Sequence, residues 1–291
     1  MPFRPDSPVE LPSGRLVCGT HRLKVCPVCT VDYSFMDEIL GENKDSEDED
    51  TEDEDTEDTY VIGGGPTRPR VGTGRVIPTK FHPPSTSDTP QSLFPLGMSF
   101  RATPPVRRFI HPTNSRQFLI YTDGACLDNG SVNPKAGCGF VYSHSSPQHP
   151  GLGSTRFRLE NRGPTGEVHP QTSNRAELRA VIAALRFRAW PGEGFNSLVI
   201  ATDSEYVVEG VTSWVRGWLR RGWKTSMGAA VKNRDLWENL LGEIELWHDY
   251  GLQVKFWRIP RAWNTDADYH ARHAASMDAR NEFANISGIL V

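Results

Sequence analysis

No stretch of this sequence approaches 18 consecutive apolar residues, so no segment can form a helix that spans a bilayer. The N-terminus, MPFRPDSPVELPSG, has neither an apolar signal core nor an Arg-rich amphipathic pattern. Neither export nor mitochondrial import is expected, and the chain reads as intracellular, in nucleus or cytoplasm. Cysteine is scarce, with five in 291 residues. That odd number, with three between positions 18 and 29, fits a reducing compartment better than a disulfide framework. No internal repeat is visible. Apolar residues make up only 37 %, against 22 prolines and 26 glycines, so less of the chain is expected to pack than its length allows.

What is present is unevenly distributed. Residues 42–58 carry twelve carboxylates and one lysine, and without that run the net charge of −4 becomes +7. A chain that is basic outside one acidic run suits a polyanionic partner. Residues 1–41 form a small Cys/His module. Residues 42–59 alternate Glu, Asp and Thr and cannot bury enough surface to offset ordering, so a disordered acidic run is expected. Residues 60–112 hold ten prolines and seven basic residues against one Asp and read as a flexible, mildly basic linker. Residues 113–284 form the folded domain.

In that domain strands are expected at 118–124, 137–143, 155–160, 197–203 and 252–259. Leu178, Val181, Ile182 and Leu185 make a helical stripe over 173–190, stopped by Pro191 and Gly192. A second stripe covers 235–250, and Ala267, Ala271, Ala274 and Ala275 mark a third helix after Asn264. Three strands followed by alternating helices and strands describe an α/β fold, a mixed sheet with helices on its faces.

Asp123 and Asp203 each close a hydrophobic strand, and Glu177 lies in the first turns of the helix that starts near Ser173. Strand ends are where α/β sheets place their sites, so these three carboxylates can converge. Asp266 or Asp268 offers a fourth. One Asp at a strand end ordinarily caps the turn that follows. A cluster of them stays ionised only around a cation, and hard oxygen ligands suit Mg²⁺ or Mn²⁺. Two such ions can drive in-line displacement at a phosphodiester.

The segments YTDGAC, TSNRAEL, ATDSEYV and NTDADYHAR, in this order, closely resemble the four acidic motifs of type 1 ribonuclease H. The resemblance covers residues 117 to about 279. It implies the ribonuclease H-like five-stranded mixed sheet flanked by helices, to which composition adds a disordered N-terminal third. It also implies hydrolysis of the RNA strand of RNA/DNA hybrids by two metal ions. Asp123 would bridge both ions, with Glu177 and Asp203 holding one and Asp268 the other. Asp268 is preferred over Asp266 because Asn264, Ala267, Asp268, Ala271 and Arg272 match the family's fourth motif. Two other readings are a catalytically silent hybrid-binding scaffold and a DNA-directed nuclease of the same fold. Four retained carboxylates disfavour the first, and the substrate-contacting residues disfavour the second.

Residues 214–235 carry six basic residues and one acid among Trp214, Trp218 and Trp223. On a helix, Trp214 and Trp218 would present an aromatic ledge flanked by Arg220, Arg221 and Lys224, which suits a sugar-phosphate backbone. The segment is similar to the basic protrusion of bacterial and eukaryotic type 1 enzymes. That likeness assigns Trp214 and Trp218 to a DNA channel and Thr172 and Asn233 to a DNA-phosphate pocket. Asn129, Ser173 and Asn174 would read the minor groove, where the 2′-hydroxyl separates RNA from DNA. Ser173 departs from the family's Asn or Gln, and Pro170 stands where animal enzymes carry Arg. The loop RIPRAWNTDAD lacks the His of many members. Arg261 takes the place of an Arg in short-loop members and would contact phosphate or assist product release, since it cannot act as a base.

Cys18, His21, Cys26 and Cys29 form C-x₂-H-x₄-C-x₂-C, four ligands able to hold one structural Zn²⁺ tetrahedrally. The acidic run and linker are expected to keep this module apart from the catalytic domain, with no packed interface. Cys126 and Cys138 read as small core residues.

Overall fold

The computed structural model describes residues 8–40, 69–144 and 153–288. The expected acidic run at 42–59 lies outside them. Two short antiparallel ladders come first, β1 (Val9–Glu10) with β2 (Leu16–Val17) and β3 (Val25–Cys26) with β4 (Val31–Asp32), and then α1 (Phe35–Leu40).

The segment read as a flexible linker is packed from residue 69 onward, which corrects the expectation. Its first part straps along the later helix at Arg234–Asp249: Gly72 N–H donates to Glu238 O at 2.8 Å. The Glu245 carboxylate accepts from the backbone N–H groups of Thr73 and Arg75 at 3.1 and 3.0 Å. A Cβ on Gly72 would overlap the backbone of Leu241 and Gly242. β5 (Thr79–Lys80), α2 (Pro90–Leu93), β6 (Leu96–Ser99) and β7 (Val106–His111) follow. Proline density misled here because α2 takes Pro90 in its first turn behind the Thr89 cap, where no N–H donor is needed.

The five expected strands are all present: β8 (Asn114–Leu127), β9 (Lys135–Val141), β10 (Ser154–Arg158), β11 (Ser197–Thr202) and, after the helices, β12 (Gln253–Arg258). They lie in the order β10-β9-β8-β11-β12, antiparallel on the β9 side and parallel on the β11 side. β5 extends the β12 edge in parallel, and the β6–β7 hairpin pairs with β8 at Phe118 and Leu119. β8 is buried from Gln117 through Cys126, as a central strand covered on both faces must be.

α3 (Ser173–Arg186) starts at the Thr172 cap, whose hydroxyl accepts from Arg175 N–H at 3.2 Å. Its apolar stripe is fully buried. α4 (Glu205–Glu209), a π turn at Gly210–Trp214 and α5 (Val215–Arg220) run on as one helix, and α6 (Arg234–Asp249) and α7 (Thr265–Ala275) complete the set. Two close approaches position the site. A Cβ on Gly124 would strike Glu177 N, so α3 lies directly on β8. Cβ atoms on Gly137 and Gly139 would strike the backbone of α7 at Ala275 and Ala271, so the alanine face of α7 sits against β9. Among the described residues no helix is long and apolar enough to cross a membrane.

Candidate active site

β8 and β11 run parallel in the register Ile120↔Ile200 and Tyr121↔Ala201. Carrying that register two residues further sets Asp123 level with Asp203, the residue after β11 ends. Asp123 does not end its strand, because β8 continues to Leu127 on the β9 side and Asp123 pairs with Gly139. It sits instead just beyond the parallel ladder, at the fork between the strands. Gly124 then lets α3 bring Glu177 onto the same spot, and all three residues line one cavity with Ser173, Asn174 and Arg261.

Asp123 is 2 % exposed. Asp123 Oδ2 and Glu177 Oε2 are buried with no hydrogen-bond partner. Burial first, and neighbouring carboxylates second, push both carboxyls well above the usual range. Asn264, 1 % exposed, clamps the two strand ends by donating to Thr122 O at 3.0 Å and Asp203 Oδ1 at 2.7 Å. The family's fourth motif contains this Asn, but its role as a clamp was not readable from sequence.

The fourth carboxylate stands apart. Asp268 accepts from Arg261 Nη2 at 2.6 Å and Arg272 Nε at 2.8 Å. Asp266 lines a different, apolar cavity with Phe94, Tyr121 and Trp263. Burial opposes the charge on Arg261, but Asp123, Asp203 and Asp268 outweigh it and push its pKa above the ordinary arginine value. One guanidinium therefore supplies countercharge to three acids.

Around this centre Asn129 Nδ2 donates to Ser173 Oγ at 3.1 Å, next to Asn174. Thr172 and Asn233 meet at Arg175, which donates its backbone N–H to the first and a guanidinium N–H to Asn233 Oδ1 at 3.4 Å. Arg175 is 2 % exposed and paired with Asp235. Asn233 holds its left-handed backbone, φ 58°, at the start of α6 and also donates to Tyr206 Oη. Arg220, Arg221 and Lys224 are exposed. Trp218 corrects the aromatic ledge: only 7 % exposed, it packs 5.3 Å from Trp237 and 6.0 Å from Trp214, inside the core. Trp214 is half-buried. A sequence window records the i, i+4 spacing but not which side of the helix meets α6.

The Cys/His module is not separate. Cys18, His21, Cys26 and Cys29 bring their ligand atoms within 4.8 Å of one another, so the four residues form a group able to hold a metal. His21 Nδ1 lies 3.4 Å from Cys26 Sγ and 3.3 Å from Cys29 Sγ. Burial raises the Cys18 thiol, but hydrogen bonds with His21, Cys29 and Thr20 outweigh it and bring it down to about 7. Burial and the neighbouring thiols push Cys29 up to about 12. The module is packed against the carboxylate cavity, contrary to the expected separation. Arg261 Nη1 donates to Cys29 O at 2.5 Å and Nη2 to Thr30 Oγ1 at 3.2 Å, while Phe35 enters the main core.

A model of the RNase H family matches residues 115–276. The chain is 32 % identical over 181 residues to human Ribonuclease H1, covering 61 % of this chain and 56 % of the human protein, little more than half its length. It is 38 % identical over 155 residues to Ribonuclease H of Pelobacter propionicus, covering 53 % of this chain and 82 % of that one. Among solved structures it is similar to LC9-RNase H1, described as a type 1 RNase H with the type 2 active-site motif. That likeness is 31 % identical, covers 55 % of this chain and 72 % of the other, and has a TM-score of 0.39. With the match extending over more than half of its length, the chain belongs to the RNase H family, in its type 1 form.

Proposed function

We propose that residues 113–284 form an endonuclease that hydrolyses the RNA strand of RNA/DNA hybrids with two divalent cations, Mg²⁺ or Mn²⁺. The observation that carries this reading is the pair of buried carboxylate oxygens, on Asp123 and Glu177, that have no hydrogen-bond partner. Buried acceptors of this kind are costly unless something fills them. Hard oxygen donors beside Asp203 fit a hard divalent cation. Asp123, Glu177 and Asp203 would hold it, with Asp268 available to a second once its arginines are displaced. Such cations supply the Lewis acidity that activates water and stabilises the leaving oxygen at phosphorus.

The remaining roles belong to the chain's own side chains. Asn264 keeps Asp203 level with Asp123. Asn129, Ser173 and Asn174 lie where a minor groove would pass the cavity and offer donors and acceptors to bases and 2′-hydroxyls. Thr172 and Asn233 cup a phosphate of the DNA strand. Arg220, Arg221 and Lys224 add the salt-sensitive contacts to that backbone, with Trp214 beside them. Arg261, always protonated, serves RNA phosphate binding or product release. The Cys18, His21, Cys26 and Cys29 group fits Zn²⁺ by its three sulfur donors and one nitrogen. A reducing setting, nucleus or cytoplasm, would keep those thiols free.

The test is cleavage of an end-labelled RNA/DNA hybrid beside duplex RNA and duplex DNA, with Mg²⁺ and with Mn²⁺. Internal cuts confined to the RNA of the hybrid are expected. A hybrid left intact with both ions would favour the silent binder, and cutting of duplex DNA would favour the DNA-directed nuclease.

A further inference from the structure

We propose that the Cys/His module is a lid, shaped by Zn²⁺, that closes the carboxylate cavity and has to swing away before a hybrid can enter. The inference rests on the hybrid-cleaving reading above and adds its regulation.

Position comes first. The cavity that holds Asp123 and Glu177 is lined as well by Val31, Asp32 and Tyr33 of the module. The module thus forms part of the wall of the cavity that the scissile strand would have to reach. Asp32 also lines the same cavity as Ser173 and Asn174, the residues proposed to receive the nucleic acid. A lid carboxylate and an incoming phosphodiester carry the same charge and cannot share that groove.

Two latches stand out among the contacts that hold the lid, which include Leu16, Tyr33 and Met36 packed on the main core and Arg272 Nη2 donating to Thr30 Oγ1 at 3.4 Å. Phe35, 3 % exposed, inserts between Tyr206 and Trp214, with ring centroids 5.3 and 5.5 Å away. Trp214 belongs to the proposed DNA channel, so the latch covers a second part of the substrate path. The other latch is Arg261, which ties Cys29 O and Thr30 Oγ1 of the lid to Asp268 of the site. In this closed arrangement a guanidinium provides the positive charge that divalent cations would provide in an open one. The lid and the metal ions thus compete through Arg261 for the same carboxylates.

The lid owes its shape to its ligands. Residues 8–37 contain only a few buried apolar side chains, Val17, Cys18, Cys26 and Phe35, and so small a unit needs a staple to hold a structure. Thr30 follows the ligand Cys29 directly and carries φ 56°, a strained conformation for a β-branched residue. Loss of zinc should release that conformation, the Thr30 contact and the Phe35 latch together.

The test uses the full chain and two variants that break different parts: Phe35→Ser removes the apolar latch, and Cys26→Ser with Cys29→Ser removes zinc without touching the main core. Zinc content is measured by elemental analysis and the unfolding midpoint confirms that the catalytic core is intact. A lid closed nine times in ten lowers apparent affinity about tenfold. Both variants should therefore raise kcat/KM on a hybrid by about that factor with kcat little changed. In zinc-loaded wild type without Mg²⁺ or Mn²⁺, adding an uncut hybrid should speed amide hydrogen exchange at residues 30–36. Variants that cleave no faster than wild type, or exchange at 30–36 that slows on hybrid addition, would overturn the lid, the latter by making the module part of the binding surface. If wild type and variants alike neither bind nor cut the hybrid, the hybrid-cleaving reading falls and the lid falls with it.

Discussion

The two ends of this molecule solve the problem of buried polar groups in opposite ways. In the Cys/His module four soft ligands lie within 4.8 Å of one another on a unit with almost no core, so the polar centre must create the structure. At the fork of β8 and β11 a large core already exists, and it forces Asp123 and Glu177 into burial with oxygens left unpartnered. There the structure creates the polar centre. The first kind of site is stabilising when loaded. The second stores a cost until a ligand relieves it. Asp268 lies between these cases, because Arg261 and Arg272 already satisfy it.

The largest effect that would sharpen this contrast is on catalysis. Asp123→Asn or Asp203→Asn should lower hybrid cleavage by on the order of 10³-fold or more, since each removes a cation ligand. The cation-free fold should be no less stable, because a neutral amide replaces an acid crowded by other carboxylates. A variant that keeps near wild-type cleavage, or whose melting temperature drops sharply, would deny that these acids form a costly functional centre.

Next come the aromatic and basic halves of residues 214–235. Trp218→Ala should cost about 3–5 kcal/mol of stability, as truncation of a buried aromatic does. Arg220→Ala with Arg221→Ala should leave stability within about 0.5 kcal/mol. The same pair should flatten the salt dependence of hybrid binding by roughly one unit of slope for each phosphate that is no longer neutralised. Denaturant melts and titrations at several salt concentrations separate the two. An unchanged slope would place these arginines off the nucleic acid.

The smallest effect is thermal. Burial, then neighbouring carboxylates, raise Asp123 and Glu177 in the cation-free protein. The folded state thus holds protons that the unfolded chain releases. That contribution is complete below the unfolded pKa and is lost as pH rises through the raised folded value. Mg²⁺ competes with those protons, so it should raise the melting temperature more at about pH 8 than at about pH 5, by about 2–4 °C for each kcal/mol of binding gained. A shift independent of pH would place Mg²⁺ elsewhere.

The five central strands and the three long helices were legible because their signals are local and periodic: a run such as FLIYTDG, or Leu178, Val181, Ile182 and Leu185 on one face. The acidic motifs were legible because each sits at a fixed offset from such an element. Asp268 over Asp266 needed family likeness, and the structure separates them by placing Asp266 in an apolar cavity on another side. The packed strap at 69–81 was not legible. Its prolines and glycines read as breakers, and only the Glu245 carboxylate and the Gly242 backbone, far along the chain, turn it into structure.

By itself the sequence determined the family, the order of the five central strands and three long helices and the identity of the acids, since hydrophobic period and motif spacing are properties of neighbouring residues. Tertiary structure decided the rest: that Trp218 faces the core, that Asn264 clamps the strand ends, and that the Cys/His module lies against the carboxylates. The Arg261 to Cys29 hydrogen bond joins residues 232 positions apart. Contacts of that separation form only after the sheet has brought both ends of the chain to one edge, and no local pattern records them.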